Sequence, residues 1–284
     1  MFSSLRQKNY KMKELWNFYL SNTWVEPFLV SSILLFMITS LLLYILIIRS
    51  RAYKLKGERL SAVYGIIIEK ILFTVIFEEA VFAEIKKNTD YKLLSNNKVF
   101  RNQMISSVLN LHQNYEGAYA KKLEKFYYES GLIKKSFKDL KSKKWEVACS
   151  GVKELAQMNV IKAFESIIKI SKTKNKTLKV VALNACIKLN GAKGLLHLID
   201  HKDPIDEWTQ VNIMAAIKLF EVEDTNGIEL LLESKNATVV TLGLKIIKTL
   251  KISAKANYVA QLAANETNNL IRLEAQNVLN SLIV

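Results

Sequence analysis

The strongest constraint on the fold is a helical pattern that recurs about every 31 residues in the second half of the chain. Five apolar segments can be aligned so that they end at Leu155, Leu189, Leu219, Leu250 and Leu282, which are 34, 30, 31 and 32 residues apart. Mostly small or apolar residues stand three, four and seven positions before each leucine. This is the spacing of one helix face. The pattern therefore predicts a series of helices that each bury one face.

Shorter amphipathic segments, such as VIKAFESIIKIS and TNGIELLLES, stand between these helices and predict helices of their own. Each unit would then be a helix pair that must stack on its neighbours to bury its apolar face. In HKDPIDEW we expect Asp203 to cap a helix whose first residue is Pro204. The sequence NGAKG after Leu189 is typical of a helix end. With nine glycines and two prolines in 284 residues, the chain also has few places for tight turns between strands.

The repeated segments resemble HEAT-type repeats, in which helix hairpins stack into an α-solenoid. The resemblance covers residues 131–284, and residues 91–130 are expected to form an earlier, irregular helix pair. The expected fold class is therefore all-α, with one N-terminal transmembrane helix followed by a HEAT-like α-solenoid of helix pairs. The resemblance lies in the pattern and not in any invariant motif, so it predicts the fold more firmly than the function.

The predicted transmembrane helix is FLVSSILLFMITSLLLYILII, residues 28–48, which carries no charge. A helix of this length matches the roughly 30 Å hydrocarbon core of a bilayer. Trp24 and Tyr44 are placed as interfacial aromatic residues would be. A shorter apolar core and a small-residue cleavage site would be typical of a signal sequence, but this segment runs into RSRAYKLK. The sequence therefore predicts an uncleaved anchor after an N-terminal tail, residues 1–27.

The orientation of the anchor follows from its basic flank. Arg49, Arg51, Lys54 and Lys56 follow the apolar segment closely, whereas Lys13 is the basic residue nearest to it on the other side. Because basic residues favour the cytoplasmic side, the C-terminal solenoid is expected in the cytoplasm. The protein is therefore expected to be a single-pass membrane protein of the bacterial inner membrane. The two cysteines, Cys149 and Cys186, are expected to be reduced and buried.

Residues 49–90 are predicted to contain this basic flank and a juxtamembrane amphipathic helix over 58–87. The helix is strongly apolar, but its charges exclude a second ordinary membrane span: Glu69, Lys70, Glu78, Glu79 and Glu84. Its apolar surface must lie against something. The alternatives are the membrane interface, the same helix in a second copy, a membrane-embedded partner, and the helices that follow in this chain.

Residues that could carry chemistry are few. His197 and His201 have a spacing that could place both imidazoles on one helix face, but a helix end near His201 argues against a metal site. None of the common nucleotide-binding, nucleophile or zinc-protease motifs occurs. Cys149 has no evident histidine partner. We therefore expect no enzymatic activity, no cofactor, no catalytic residue and no metal site, although a site built from scattered residues remains an alternative.

The net charge of +15 is concentrated in two blocks, one beside the anchor and one around KKSFKDLKSKKWE. The second block contains six lysines: Lys134, Lys135, Lys138, Lys141, Lys143 and Lys144. Nucleic acid, an anionic membrane surface, an acidic protein partner and solvent are the alternatives for what they face. Only six of the 41 basic residues are arginine, and the cluster lacks interleaved aromatic residues. Both observations argue against nucleic acid.

Trp145 and Trp208 stand near the starts of two repeat helices. Packing between neighbouring hairpins is the ordinary interpretation, and a partner-binding anchor is the alternative. The layout of anchor, juxtamembrane helix and LKSKKWEVACSGVKELAQM resembles bacterial membrane-anchored HEAT-repeat proteins found beside membrane glycosyltransferases in polysaccharide-producing systems. The resemblance implies a non-enzymatic scaffold or adaptor with a membrane-embedded protein partner. A nucleic-acid binder at the membrane and a homo-oligomer formed through residues 58–87 are alternatives.

Overall fold

The computed structural model of the protein describes residues 25–78 and 80–283, which form helices and no strand. The predicted all-helical class and the long apolar N-terminal helix are thus confirmed. Trp24 and the rest of the predicted tail up to it lie outside the described residues. The helices are α1 Val25–Phe77, α2 Phe82–Ile85, α3 Thr89–Leu94, α4 Lys98–Asn114, α5 Gly117–Glu129, α6 Leu132–Leu140, α7 Trp145–Gln157, α8 Phe164–Ser171, α9 Lys176–Asn190, α10 Glu207–Leu219, α11 Ala237–Thr249, α12 Ala256–Asn265 and α13 Asn269–Ile283.

The chain divides into two compact units, Met1–Tyr64 and Gly65–Val284. The first unit contains most of α1, whose apolar side chains are exposed, as Ile33 and Phe36 illustrate. The helix is long and apolar enough to cross a membrane. At 1.5 Å per residue its 53 residues measure about 80 Å, against a hydrocarbon core of about 30 Å. Most of α1 therefore lies beyond the length that a bilayer needs.

The second unit begins with the last part of α1, one face of which is buried. Its buried residues are Ile68, Ile71, Leu72, Val75 and Ile76. This face packs on the helices that follow, because Lys122 Nζ donates a hydrogen bond to the Ile76 carbonyl oxygen at 3.0 Å and the Phe77 ring lies 5.9 Å from that of Tyr119. One face of the juxtamembrane segment thus packs on the helices that follow in this chain, which was one of the alternatives for it. The opposite face, with Ile66 and Phe73, is exposed.

The predicted juxtamembrane helix ends at Phe77 and does not continue to Lys87. Glu78 and Glu79 follow directly, and negative charge is unfavourable at the C-terminal end of a helix because it opposes the helix dipole. Helical structure resumes only in the short helices α2 and α3.

The second helices of the predicted pairs pack on one another in chain order: α7 on α9, α9 on α10, α10 on α11, and α11 on α13. Three of these second helices pack on the first helix of their own pair: α7 on α6, α9 on α8, and α13 on α12. In the two remaining pairs the first helix was expected to be an α-helix but is a 3-10 helix. These are Gly191–Leu198 and Ile228–Glu233. At Gly194 a side chain would overlap the Cys186 carbonyl group, so this segment lies unusually close to α9.

The burial pattern corrects the register of the repeat. Leu219 is 74% exposed, whereas Ile213 and Ile217 are fully buried. The buried or half-buried positions that correspond at the ends of the second helices are Met158, Leu189, Phe220, Leu250 and Leu282, which are 31, 31, 30 and 32 residues apart. The predicted alignment was therefore wrong by three residues in the first unit, where it used Leu155, and by one residue in the third, where it used Leu219.

Three helix ends support this register, because each has a non-glycine residue in the left-handed conformation at the same position. These residues are Asn159, Glu221 and Lys251, with φ of 50°, 44° and 50°. In each turn the next amide donates to a carbonyl five residues earlier, from Val160 to Leu155, Val222 to Ile217 and Ile252 to Ile247. This is the Schellman arrangement of a helix C-terminus. The predicted helix end at NGAKG is also found, with α9 ending at Asn190 and Gly191 at φ 55°.

The N-terminus of α10 differs from the prediction. The capping residue is Asp206, whose Oδ1 accepts a hydrogen bond from the Thr209 amide at 2.8 Å, and not Asp203. Pro204 lies before the helix. The reason is that Ile205 is buried and its amide donates to Thr238 Oγ1 of α11 at 2.8 Å. This contact holds the chain in a non-helical conformation up to Asp206.

Candidate functional site

An exposed apolar ridge runs along α10. Trp208, Val211 and Leu219 are 64%, 62% and 74% exposed, and Ala215 is exposed between them. Their spacing places all four on one helix face. Trp208 is therefore not packed between helix pairs, and Trp145 at the start of α7 is also exposed. The interpretation as an ordinary packing residue is therefore wrong for Trp208, whereas most of the Trp145 surface is covered and the interpretation stays a prediction there.

The surfaces on either side of this ridge are more polar. On α9 the equivalent positions, 31 residues earlier, are Thr177, Val180, Asn184 and Lys188, of which Val180 is buried. On α11 the exposed positions include Lys248 and Thr249. Single exposed apolar residues are common on protein surfaces, whereas a contiguous strip of them is uncommon and is typical of a surface that contacts another protein. The ridge is such a strip.

A groove of about 950 Å³ reaches the end of the ridge at Leu219. Its walls come from α4, α5, α7, α9 and α10, and they include the polar side chains His112, Asn184 and Lys188. Asn184 Oδ1 is buried and has no hydrogen-bond partner among the described residues. A concave site with apolar walls and a few convergent polar groups is the usual form of a binding site.

Two side chains of the groove are held by neighbours. His112 Nε2 lies 2.9 Å from Glu124 Oε1, which also accepts a hydrogen bond from Asn159 Nδ2 at 2.7 Å. Lys188 Nζ donates to Gln157 Oε1 at 2.5 Å, and burial lowers the pKa of Lys188. Lys188 Nζ also lies 5.5 Å from the centre of the Phe220 ring. The groove thus has a fixed polar end beside its apolar one.

The six lysines of the predicted cluster do not share one environment. Lys134, Lys135 and Lys138 lie on α6 and line a cavity of about 450 Å³ together with Lys98 and Arg101 of α4. Lys141, Lys143 and Lys144 follow α6, are exposed and do not line this cavity. The sequence reasoning missed Lys98 and Arg101, because they stand more than 30 residues before the cluster and only the folded chain, in which α4 and α6 line one cavity, brings them to it.

The flank residues Arg49, Arg51, Lys54 and Lys56 all lie on α1 within the first unit and are exposed. Lys54 Nζ lies 4.0 Å from Glu58 Oε1, one turn further along the helix. Exposed pairs of this kind contribute little to stability, so these cations are available to lipid headgroups or solvent.

A buried polar network joins α5, α6 and α7. Tyr127 Oη donates a hydrogen bond to Ser136 Oγ at 2.5 Å, and Ser136 donates to Glu154 Oε2 at 2.5 Å. Lys135 Nζ lies 2.6 Å from Asp139 Oδ2 and 3.8 Å from Glu154 Oε1. Burial raises the pKa of Glu154, and the Ser136 hydrogen bond and Lys135 oppose that shift. In the other repeats the position of Glu154 holds Ala185, Ala216, Ile246 and Val278.

Replacing Glu154 by glutamine should change how stability depends on pH. The folded state holds the Glu154 proton more tightly than the unfolded state, so this group's contribution to stability falls as pH rises from its ordinary pKa through the raised one. We therefore expect the free energy of unfolding of the wild type, relative to Glu154→Gln, to decrease between pH 4 and pH 7. Denaturant titrations of both proteins at several pH values test this. A difference that rises with pH would contradict it.

His197 is engaged by neighbouring groups within the protein. His197 Nε2 lies 2.9 Å from Ser171 Oγ and its Nδ1 lies 2.9 Å from the Gly194 carbonyl oxygen, so both ring nitrogens are already engaged within the protein. Burial lowers the pKa of His197 to about 4. No group of three or more metal-ligating side chains occurs among the residues that the structure describes.

Both cysteines are buried, Cys149 on α7 and Cys186 on α9. Burial raises the pKa of each thiol, for Cys186 to about 12, so neither is a reactive thiolate at neutral pH.

Comparisons of the chain with protein-family models, with curated proteins and with solved structures find no match.

Proposed function

We propose that the protein is a non-enzymatic, membrane-tethered scaffold that binds a protein partner through the exposed face of its second helices. In this proposal α1 is the single membrane anchor, and residues 131–284 form a HEAT-like α-solenoid in the cytoplasm. The observation that carries the proposal is the ridge of Trp208, Val211 and Leu219. Exposed tryptophan beside large aliphatic side chains is typical of the residues that dominate binding energy at protein interfaces.

The surface around the ridge indicates the chemistry of the partner. Lys153, Lys188 and Lys245 lie on three of the second helices. Lys188 and Lys245 donate to the neutral side chains Gln157 and Gln210. None of the three lysines is paired with a carboxylate in the part of the chain that the structure describes. A partner segment with apolar side chains for the ridge and acidic side chains for these lysines fits this face best.

The anchor restricts the partner to the membrane. A tethered scaffold meets a membrane protein at a high effective concentration, so even a small interface can be stable. The layout of the chain, which resembles membrane-anchored HEAT-repeat proteins, favours an accessory subunit of a membrane glycosyltransferase or polysaccharide-producing system. The exposed face of α1 with Ile66 and Phe73 is a second apolar surface, which suits a membrane-embedded partner or a second copy of the chain.

Purification of the full chain from its native membranes tests the scaffold function. We expect a membrane protein to be recovered together with the wild type in mild detergent. With the double variant Trp208→Ser, Leu219→Ser, the recovered amount of that protein should fall by about tenfold or more. The expected loss is large because both side chains are exposed and are available as anchors for a partner.

The matched control is Ile161→Ser, since Ile161 is 61% exposed and lies in the 3-10 helix Ile161–Ala163 between α7 and α8, not on α10. Quantitative mass spectrometry should recover the same membrane protein with this control as with the wild type. Equal recovery with the ridge variant, or no membrane protein with the wild type, would reject the proposal.

A further inference from the structure

A second cavity lies beside the one that Lys134, Lys135 and Lys138 line. It has a volume of about 920 Å³ and is formed by the segment around α2 and α3, by α4, and by the start of α6. Two residues, Arg101 and Lys134, line both cavities. The two cavities are therefore neighbours that share a cationic wall.

The residues around the two cavities are mainly basic. Eight cations line them: Lys86, Lys87, Lys92, Lys98, Arg101, Lys134, Lys135 and Lys138. Among the residues that the structure describes, two carboxylates do so, Glu129 and Asp139. Asp139 is already paired with Lys135 at 2.6 Å, and Glu129 lies 3.9 Å from Lys125. The other seven cations have no carboxylate partner in the described part of the chain, so an anion could contact them without breaking an existing ion pair.

The floor of the larger cavity is apolar. Phe100, Met104 and Leu132 are buried there, and the ring of Phe82 lies edge-on to that of Tyr91 at 5.9 Å. A cavity with a cationic wall and an aromatic floor differs from a plain basic surface, because it can hold the apolar part of a ligand as well as its charge.

The central cations come from two helices, α4 and α6, that line the same cavity. Lys98 and Arg101 are three apart on α4, and Lys134 and Lys138 are four apart on α6, so each helix presents its pair on one face. Arg101 is itself held by a hydrogen bond from Nη2 to the Asn96 carbonyl oxygen at 3.2 Å. A fixed guanidinium beside lysine ammonium groups is a common arrangement for binding phosphate oxygens.

We propose that the two cavities form a site for a phosphate-bearing ligand, with Arg101 and Lys134 as the central contacts and Lys98 and Lys138 as the outer ones. The apolar floor accepts the organic part of the ligand. The phosphate can belong to a free phosphate ester or to the headgroup of an anionic lipid. This site is separate from the ridge on α10, and the proposal does not depend on the scaffold function.

The test uses the full chain in phosphatidylcholine nanodiscs, with inorganic pyrophosphate as the probe and calorimetry as the measurement. We expect the wild type to bind the probe at physiological ionic strength. The variant Lys134→Gln, Lys138→Gln should lose about tenfold or more in affinity, because two charge-assisted contacts are removed.

The control variant is Lys141→Gln, Lys143→Gln. It removes the same charge from the same lysine cluster, but these residues do not line either cavity. Affinity should stay within about twofold of the wild type. Equal loss in both variants would overturn the proposal, since it would indicate diffuse attraction to the whole basic surface. Circular dichroism of both variants establishes that each is folded.

A second set of nanodiscs, in which phosphatidylglycerol replaces part of the phosphatidylcholine, distinguishes the two sources of phosphate. If lipid headgroups occupy the site, pyrophosphate affinity of the wild type falls in these discs while that of Lys134→Gln, Lys138→Gln does not fall further. Unchanged wild-type affinity indicates a free phosphate ester. Failure of the wild type to bind pyrophosphate in phosphatidylcholine discs, with no effect of the lysine changes on binding to phosphatidylglycerol, overturns the proposal for both sources.

Discussion

Replacing Gly151 by alanine is expected to lower the free energy of unfolding by about 3 kcal/mol. A Cβ atom at this position would overlap the Leu140 amide nitrogen and would lie 2.7 Å from the Ser136 carbonyl oxygen. Both are backbone atoms of α6, so α6 and α7 would have to move apart. In an exposed helix position the same change would be stabilising by up to about 1 kcal/mol, and the opposite sign is therefore informative.

The control is Ser150→Ala, which introduces alanine at the neighbouring, exposed position of α7. Its free energy of unfolding should stay within about 0.5 kcal/mol of the wild type. Both variants are measured as the full chain in detergent by guanidinium titration followed by circular dichroism. If Gly151→Ala is as stable as Ser150→Ala, the close contact between α6 and α7 is not present.

The second large effect is acid destabilisation through His197. Its pKa is lowered to about 4 from an ordinary 6.5, mainly by burial, so the folded state resists binding a proton that the unfolded state accepts. The contribution of His197 to the free energy of unfolding is fully present above pH 6.5 and is lost as the pH falls toward 4. The free energy of unfolding of the wild type, relative to His197→Gln, should fall by about 3 kcal/mol between pH 7 and pH 4.

Comparison with His197→Gln is needed because carboxylates also titrate in this range and affect both proteins alike. Glutamine can still hydrogen-bond to Ser171, so the variant is expected to fold. His201→Gln serves as a control, because His201 is more exposed and should account for a smaller part of the pH dependence. Parallel pH profiles of the wild type and His197→Gln would contradict this prediction.

The sequence was sufficient for the helical class and for the long apolar helix, because both depend on patterns within single segments. It was insufficient for the register of the repeat. The similar strings ACIKL and AAIKL suggested that Leu189 and Leu219 are equivalent, whereas burial makes Phe220 the equivalent of Leu189. In the first unit Leu155 and Met158 are both buried on the same face, so periodicity alone could not decide between them.

The candidate sites were less predictable than the fold. The ridge on α10 is visible in the sequence as Trp208, Val211, Ala215 and Leu219 at helical spacing, but the same spacing describes a buried face. Deciding between them required the position of α10 between α9 and α11. The phosphate site depends on cations from two helices that are distant in sequence, and only three of the six clustered lysines belong to it. Proximity in sequence did not establish proximity in space.

The packing of the second helices in chain order also determines how the chain can fold. Because α7, α9, α10 and α11 each contact the next second helix, one part of the core is made by residues about 30 positions apart, and another part is made by helices that are adjacent in the chain. Closing loops of that length costs little entropy, and contacts of short sequence separation favour fast folding. During synthesis each helix pair can bury its apolar face as soon as the next pair has left the ribosome. A chain interrupted after α11 would then keep its earlier pairs folded and expose the surface that α12 and α13 cover.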